Sequence, residues 1–377
     1  MNILVIPDIE MPPTFERTPE MYRRLAADHE LTRIRGRRDD VLQSLDRPVV
    51  SKALPYLLDR VRVIGLGLRA GRNRKFDLIF CETPHDALSG LVIGKVLNVP
   101  SVYDCHGSLE LYARSTARSR GYRIAARTLD KILGRNMDGL LTVSQREADA
   151  YVDLGVPRQK IHVFPTPVDT EEINRRVEPT RHARESIPRA ASEKPVLLFF
   201  GSFGYGPNLK ALRFVNERLA PALEARGVRC RIQVAGRAIP PGTYHSSIEV
   251  LGFVEDIYPR IAEADLGLVP IWTGVGIIVK ALDILAVGTP LIGTRFLTQG
   301  IPELVHHENA LLAESEEDFI HLVAQSLQDL GSLRGIADRG RELVREKYSW
   351  TAHEEILKRI LSDAARAKAR TRGTNAG

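Results

Sequence analysis

The chain has 377 residues, 44 % of them hydrophobic and 27 % charged, with a net charge of +6 at neutral pH. That length exceeds one ordinary core, so two domains are expected, and the composition excludes the disordered, fibrous and disulfide-scaffold classes. Cys81, Cys105 and Cys230 form no CxxC pair, and no run approaches the roughly 18 apolar residues of a spanning helix, so a reducing, cytoplasmic setting is expected.

The start, "MNILVIP", is apolar directly after Met1 and reads as a first strand rather than a signal peptide. Further short runs rich in Val, Ile and Leu at 31–34, 77–82, 100–104, 139–144 and 160–165 alternate with helix-length segments, the pattern of parallel strands covered on both faces. Basic charge concentrates here. From Arg33 to Lys75 twelve basic residues stand against four acids, and from Arg114 to Arg135 seven face only Asp130. A field of that sign suits phosphate-rich partners or an anionic bilayer surface, against the competing reading of a solvated face. Nucleic acid is not expected, because no ribonucleoprotein motif, helix-turn-helix signal or zinc-finger spacing accompanies the charge. The spacing predicts a helix over 145–154, opened by a Ser144–Glu147 capping box and ended by Gly155-Val156-Pro157.

Pro165 and Pro167 mark a boundary, followed by a polar stretch to about Lys194. The strand pattern then restarts at 195–201, 230–236, 248–252, 266–270 and 289–294, with a helix from about Asn208 to Arg226. Near the end, Ile356, Leu357, Ile360 and Leu361 recur at helical spacing before a polar tail expected to be disordered.

In doubly wound sheets, ligands sit outside the carboxyl ends of the strands. "FFGSFGYGPN" supplies Gly201, Gly204 and Gly206 there, before a helix opened by Pro207 and Asn208, at a spacing that is not the dinucleotide fingerprint. "TGVGIIVKALDILAVGTP" is more specific: Gly274 and Gly276 permit a turn of converging N–H groups, a helix from about Ile277 adds its partial positive charge, and Lys280 one turn in adds a full one. Together they suit a diphosphate, with Asp283 on the same side for a ribose diol. A simple i,i+3 ion pair is the competing reading, but its return of a few tenths of a kcal/mol hardly offsets desolvating two charges on an apolar helix.

The blocks "LLTVSQREADAYVDLGVPRQKIHVFPTPVDTEEI", "VLLFFGSFGYGPNLKALRFV", "VLGFVEDIYPRIAEADLGLVPI" and "GVGIIVKALDILAVGTPLIGT" resemble those of the retaining GT-B enzymes of glycosyltransferase family 4, specifically from about Asp138 to Trp350. The resemblance implies an α/β fold of two Rossmann-like domains facing each other across a cleft: residues 1–168 on the acceptor side, with the helix 350–366 packing back on them, then 169–349 holding a nucleotide-sugar, then the tail 367–377. It implies that Gly201 and Ser202 lie beside the donor diphosphate, with Asn208, Gly274, Val275, Gly276 and Ile277 along the donor. Gly252 and Phe253 lie near its base, Arg237 is a further contact, and Lys280 and Asp283 match the lysine and ribose-binding acid. "VYDCHG" places His106 as the residue expected to reach the reacting sugar.

Three departures stand out: Val275 replaces a glutamate frequent in the family, Asp283 stands where Glu is usual, and "PDIEMPPTFE" lacks glycines, leaving Asp8 and Glu10 on the acceptor side. The expected activity is transfer of a hexose from a UDP- or GDP-sugar to a glycan or lipid-linked acceptor, needing no metal and no cofactor, by a protein resting peripherally on the inner face of an anionic membrane. A nucleotide-sugar epimerase of the same fold and a catalytically silent nucleotide-sugar binder remain as alternatives.

Overall fold

The computed structural model describes residues 1–6, 17–34, 49–115, 118–186 and 194–374, excepting the side chains of 17–19, 49–56, 183–186 and 367–374. Asp8, Glu10 and residues 375–377 lie outside the described residues, while residues 367–374, expected as the start of a disordered tail, continue the last helix. The chain divides into two compact units, Met1–Pro165 with His353–Gly377, and Thr166–Ala352.

The first unit is built on β1 (Asn2–Ile6), β2 (Glu30–Arg33), β3 (Leu78–Cys81), β4 (Ser101–Cys105), β5 (Gly139–Thr142) and β6 (Ile161–Val163), all parallel, in the order β2-β1-β3-β4-β5-β6. Residues of β3, β4 and β5 are buried throughout, as expected for strands covered on both faces. The connecting helices are α1 (Arg17–Asp28), α2 (Val49–Asn73), α3 (Pro84–Leu97), α4 (Leu109–Ser115), α5 (Arg120–Asn136) and α6 (Gln145–Asp153). Thr83 caps α3 by accepting from Asp86 N, and Asn98 ends it at φ 53°. Ser144 caps α6 through Glu147 N, where the sequence places the capping box.

The second unit contains β7 (Val196–Ser202), β8 (Arg231–Arg237), β9 (Ile248–Gly252), β10 (Leu266–Val269), β11 (Leu291–Thr294) and β12 (Leu311–Ala313), parallel, in the order β12-β11-β10-β7-β8-β9. Its helices are α7 (Thr170–Ser186), α8 (Gly206–Phe214) continued by a π-turn at Val215–Leu219 into α9 (Ala220–Ala225), α10 (Tyr258–Glu263), α11 (Val279–Val287), α12 (Glu316–Ser326) and α13 (Arg334–Lys347). Two stretches of the second unit are elements that the sequence expectation does not contain. The stretch after Pro167 is helical as α7, anchored by buried Ile173 and Val177 one turn apart and capped by Asp169 accepting from Glu172 N. The other is the short β12, three residues that form a strand only by pairing with β11.

The last helix, α14 (Trp350–Thr374), passes into the first unit at His353. There Glu354 accepts from Arg24 at 2.7 Å, Lys358 pairs with Asp28 at 2.7 Å, and Phe164 meets the His353 ring edge-on at 5.5 Å.

Candidate active site

Each sheet reverses its strand order at one point, between β1 and β3 in the first unit and between β10 and β7 in the second, and the carboxyl ends there are where doubly wound folds bind ligands. At the second of these, β7 and β8 end in two glycines held in register, Gly201 and Gly236. A Cβ on Gly236 would stand 1.8 Å from the Gly201 carbonyl oxygen, and one on Gly201 would stand 2.8 Å from Lys280 Nζ, so only glycine admits this approach. Lys280 Nζ donates to Asn208 Oδ1 at 2.6 Å, and Asn208 Nδ2 donates to the Ser202 carbonyl at 2.8 Å. The ammonium also stands 5.1 Å from the Phe199 ring centroid. Gly201, Ser202, Asn208 and Lys280 are thus one connected group.

Lys280 lies in the first turn of α11, which begins at Val279, later than the sequence places it. Gly276, at positive φ, cannot continue a right-handed helix, and Gly300 packs so close to the Gly276 carbonyl and Ile277 Cα that a Cβ would stand 2.8 Å and 3.1 Å from them. Gly276 has φ 71° and Gly274 φ 156°, backbone that side chains rarely adopt. Ile278, at the N-cap, offers no side-chain acceptor, so the leading N–H groups of α11 point to whatever occupies the tip. Val275 and Gly276 are half-buried, Ile277 is buried, and the Gly274 Cα faces the Tyr205 hydroxyl and the Phe296 ring. Burial pushes the Lys280 ammonium down from its ordinary 10.5 to about 7, against an opposing pull from the Asp283 carboxylate.

Asp283, one turn on, accepts a long 3.4 Å bond from the Tyr258 hydroxyl, and Arg176 covers the Tyr258 ring at 5.5 Å. Gly252 turns at φ 72°, and the exposed Phe253 beside it is faced by the Arg237 guanidinium at 4.3 Å. Tyr205, Tyr258, Phe199 and Phe296 carried no sequence signal as site residues, because an isolated aromatic in a loop or on a strand is usually core.

The first unit assembles a different group. Asp104 and His106 lie two residues apart at the end of β4 and so project to the same side, with His106 Nε2 3.2 Å from Asp104 Oδ2. Asp104 is fully buried while His106 is one-third exposed. Glu82, directly after β3, joins them: one donor atom from each of Glu82, Asp104 and His106 falls within 4.8 Å of the others, the one set among the described residues close enough to share a metal ion. Tyr22 hydrogen-bonds Glu82, and burial with the neighbouring carboxylates raises its hydroxyl pKa well above the ordinary value. The loop after His106 is fixed by Asp130, which accepts from Ser108 Oγ at 2.8 Å, Glu110 N at 2.9 Å and the Tyr151 hydroxyl at 3.2 Å. Burial raises the Asp130 pKa, and these three donors offset that cost.

Two family models match the sequence: Glycosyltransferase Family 4 over residues 18–172 and Glycosyl transferases group 1 over residues 194–329. Among curated proteins no relative matches the chain. Among solved structures, the chain is similar to sucrose-phosphate synthase from Thermosynechococcus elongatus (TM-score 0.71, 14 % identity, covering 97 % of this chain and 99 % of that one). It is also similar to the Anabaena protein HepE in complex with UDP (TM-score 0.67, 14 % identity, 96 % and 100 % covered) and with UDP-glucose (0.64, 14 %, 99 % and 99 %). At those identities the structural likeness establishes the fold, and the paired family matches establish the class. The chain is a glycosyltransferase of the group 1, family 4 type, with the GT-B fold.

Proposed function

We propose that the protein transfers a hexose from a nucleoside-diphosphate sugar to a glycan or lipid-linked acceptor, with retention at the anomeric carbon and without a metal ion. The observation that carries this is Lys280: an amine pushed down to about 7 by burial, whose direct hydrogen-bond partner is a neutral amide, at an uncapped helix N-terminus beside a glycine-only backbone. An arriving diphosphate adds to the counter-charge of Asp283, which alone does not offset burial, and restores the ammonium. HepE, of the same fold, is described in complex with UDP and UDP-glucose, which supports a uridine donor.

Under this reading the Phe253 ring, backed by Arg237, receives the base, and Asp283, oriented by Tyr258, accepts from the ribose diol. As the glycosidic bond breaks, negative charge grows on the leaving diphosphate, and Lys280 with the α11 N–H groups stabilises it through dipoles fixed in advance. Val275 offers no carboxylate to the sugar, so main-chain groups of 274–277 contact it instead. Asp104 orients His106 for the sugar or the incoming hydroxyl.

A thermal-shift screen across UDP, GDP, ADP and their sugars tests the donor, since a ligand that binds only the folded state raises its melting temperature. A uridine diphosphate ligand is expected to give the largest rise, and no rise with any of them would defeat the proposal. Turnover is expected to survive EDTA. If chelation abolished it, Glu82, Asp104 and His106 would be the place to look for the ion.

A further inference from the structure

Of the fourteen large apolar side chains exposed among the described residues, ten lie on three helices of the first unit, α2, α3 and α5. They are not scattered: α3 packs between α2 and α5, so the three outer surfaces adjoin. Close packing enforces this, because a Cβ on Gly67 or Gly71 of α2 would stand 2.4 Å from Ile93 Cδ1 or 2.3 Å from Leu97 Cδ1 of α3. On α3, Leu88, Val92 and Val96 recur every four residues along one line, while Leu58 on α2 and Ile124 on α5 are 61 % and 58 % exposed.

The charges on these helices are sorted by sign. Every acid they carry, Asp59, Asp86 and Asp130, is buried: Arg60 pairs with the first two, and Ser108, Glu110 N and Tyr151 satisfy the third. What reaches solvent is basic, including Arg62, Arg69, Lys95, Arg123 and Lys131. A merely solvated face has no reason to expose rows of leucine, valine and isoleucine, and a second copy of the chain meeting this face would set like charges against each other.

We propose that the outer face of α2, α3 and α5 docks on an anionic bilayer, its apolar rows entering the headgroup boundary and its basic residues pairing with lipid phosphates. No helix among the described residues is long and apolar enough to cross a membrane, so the contact lies in the interface. The surface belongs wholly to the first unit and shares no residue with the donor niche.

Flotation of the full chain with vesicles tests it, using phosphatidylcholine alone or mixed with phosphatidylglycerol. Binding is expected only to the mixed vesicles, and it weakens as salt is raised. Replacing Arg62, Arg69, Arg123 and Lys131 by Gln lowers partitioning about fivefold per residue, equivalent to about 1 kcal/mol each. Leu58→Ser with Val92→Ser and Ile124→Ser lowers binding to the anionic vesicles as well. These side chains are exposed, so melting temperatures stay at the wild-type value, and the single changes Arg123→Gln and Ile124→Ser give the same readout should a multiple variant not fold. Wild-type protein that stays in the buffer with anionic vesicles overturns the proposal, as does either variant floating like wild type. A lipid-free dimer that the apolar variant dissociates also overturns it, assigning the face to a second copy. No donor or acceptor enters this experiment, so its outcome is separate from that of the sugar-transfer reading.

Discussion

The two units share an architecture and oppose each other in charge at their strand ends. Around the carboxyl ends of β3 and β4 the first unit gathers two buried carboxylates and a histidine; at the end of β7 and the start of α11 the second gathers a half-buried lysine, a helix N-terminus and glycine backbone. Their topologies differ in the same place. In the first unit the chain steps outward once, to β2, before returning past β1, whereas in the second it steps outward twice, to β8 and β9, before returning past β7. A parallel sheet covered by helices is thus indifferent to the chemistry at its tips, which a few loop residues decide. Under the proposed function one end receives an anion, and the other holds groups that orient or exchange protons.

The sharpest way to break this contrast is Lys280→Ala. Turnover in a radiolabelled-sugar assay is expected to fall about a hundredfold to a thousandfold, the scale of removing one fixed donor from a transition-state oxyanion. Folding is expected to hold in a thermal melt, since the change removes an amine whose charge is costly to bury. Next, Asp104→Asn removes the carboxylate that orients His106 and is expected to lower kcat about tenfold to a hundredfold, with a shifted pH–rate profile and an unchanged Kd for UDP. A change in UDP affinity of the same size would show that the units do not divide the work in this way.

The pH dependence of donor binding follows from Lys280. Below about pH 7 the ammonium is charged before the donor arrives; above it, the diphosphate must draw a proton into the niche, so affinity falls by up to about tenfold per pH unit in calorimetry. A flat profile between pH 7 and pH 9 would mean that another group meets the diphosphate. The smallest effect is expected from Phe253→Ala, about fivefold in Kd for a nucleoside diphosphate and none for inorganic pyrophosphate, because the half-exposed ring gains only its face against a base.

Local chemistry made much of the fold legible. Parallel strands buried on both faces must be continuously apolar, so the inner strands are legible as short Val, Ile and Leu runs, while β2 and β9 at their sheets' edges are part-exposed and mixed in composition, and Gly155 at φ 76° marks the end of α6. The glycine-rich turns and Lys280 stood out for a related reason: backbone that needs positive φ, and a charge on an apolar helix, are local anomalies visible without coordinates. What required tertiary structure was everything fixed by partners distant in the chain. Helix α7 hides in a polar segment because its apolar content is little more than Ile173 and Val177, and β12 exists only as a mate for β11. The backbone just before α11 is packed against the distant Gly300, and the pairing of Lys280 with Asn208 spans 72 positions. Glu82 reaches His106 only because β3 and β4 are neighbours. Likewise the basic charge was countable in the sequence, but that the acids of α2, α3 and α5 are all turned inward, leaving arginine and lysine beside rows of exposed leucine, valine and isoleucine, depends on which side of each helix meets the sheet, and packing alone settles that.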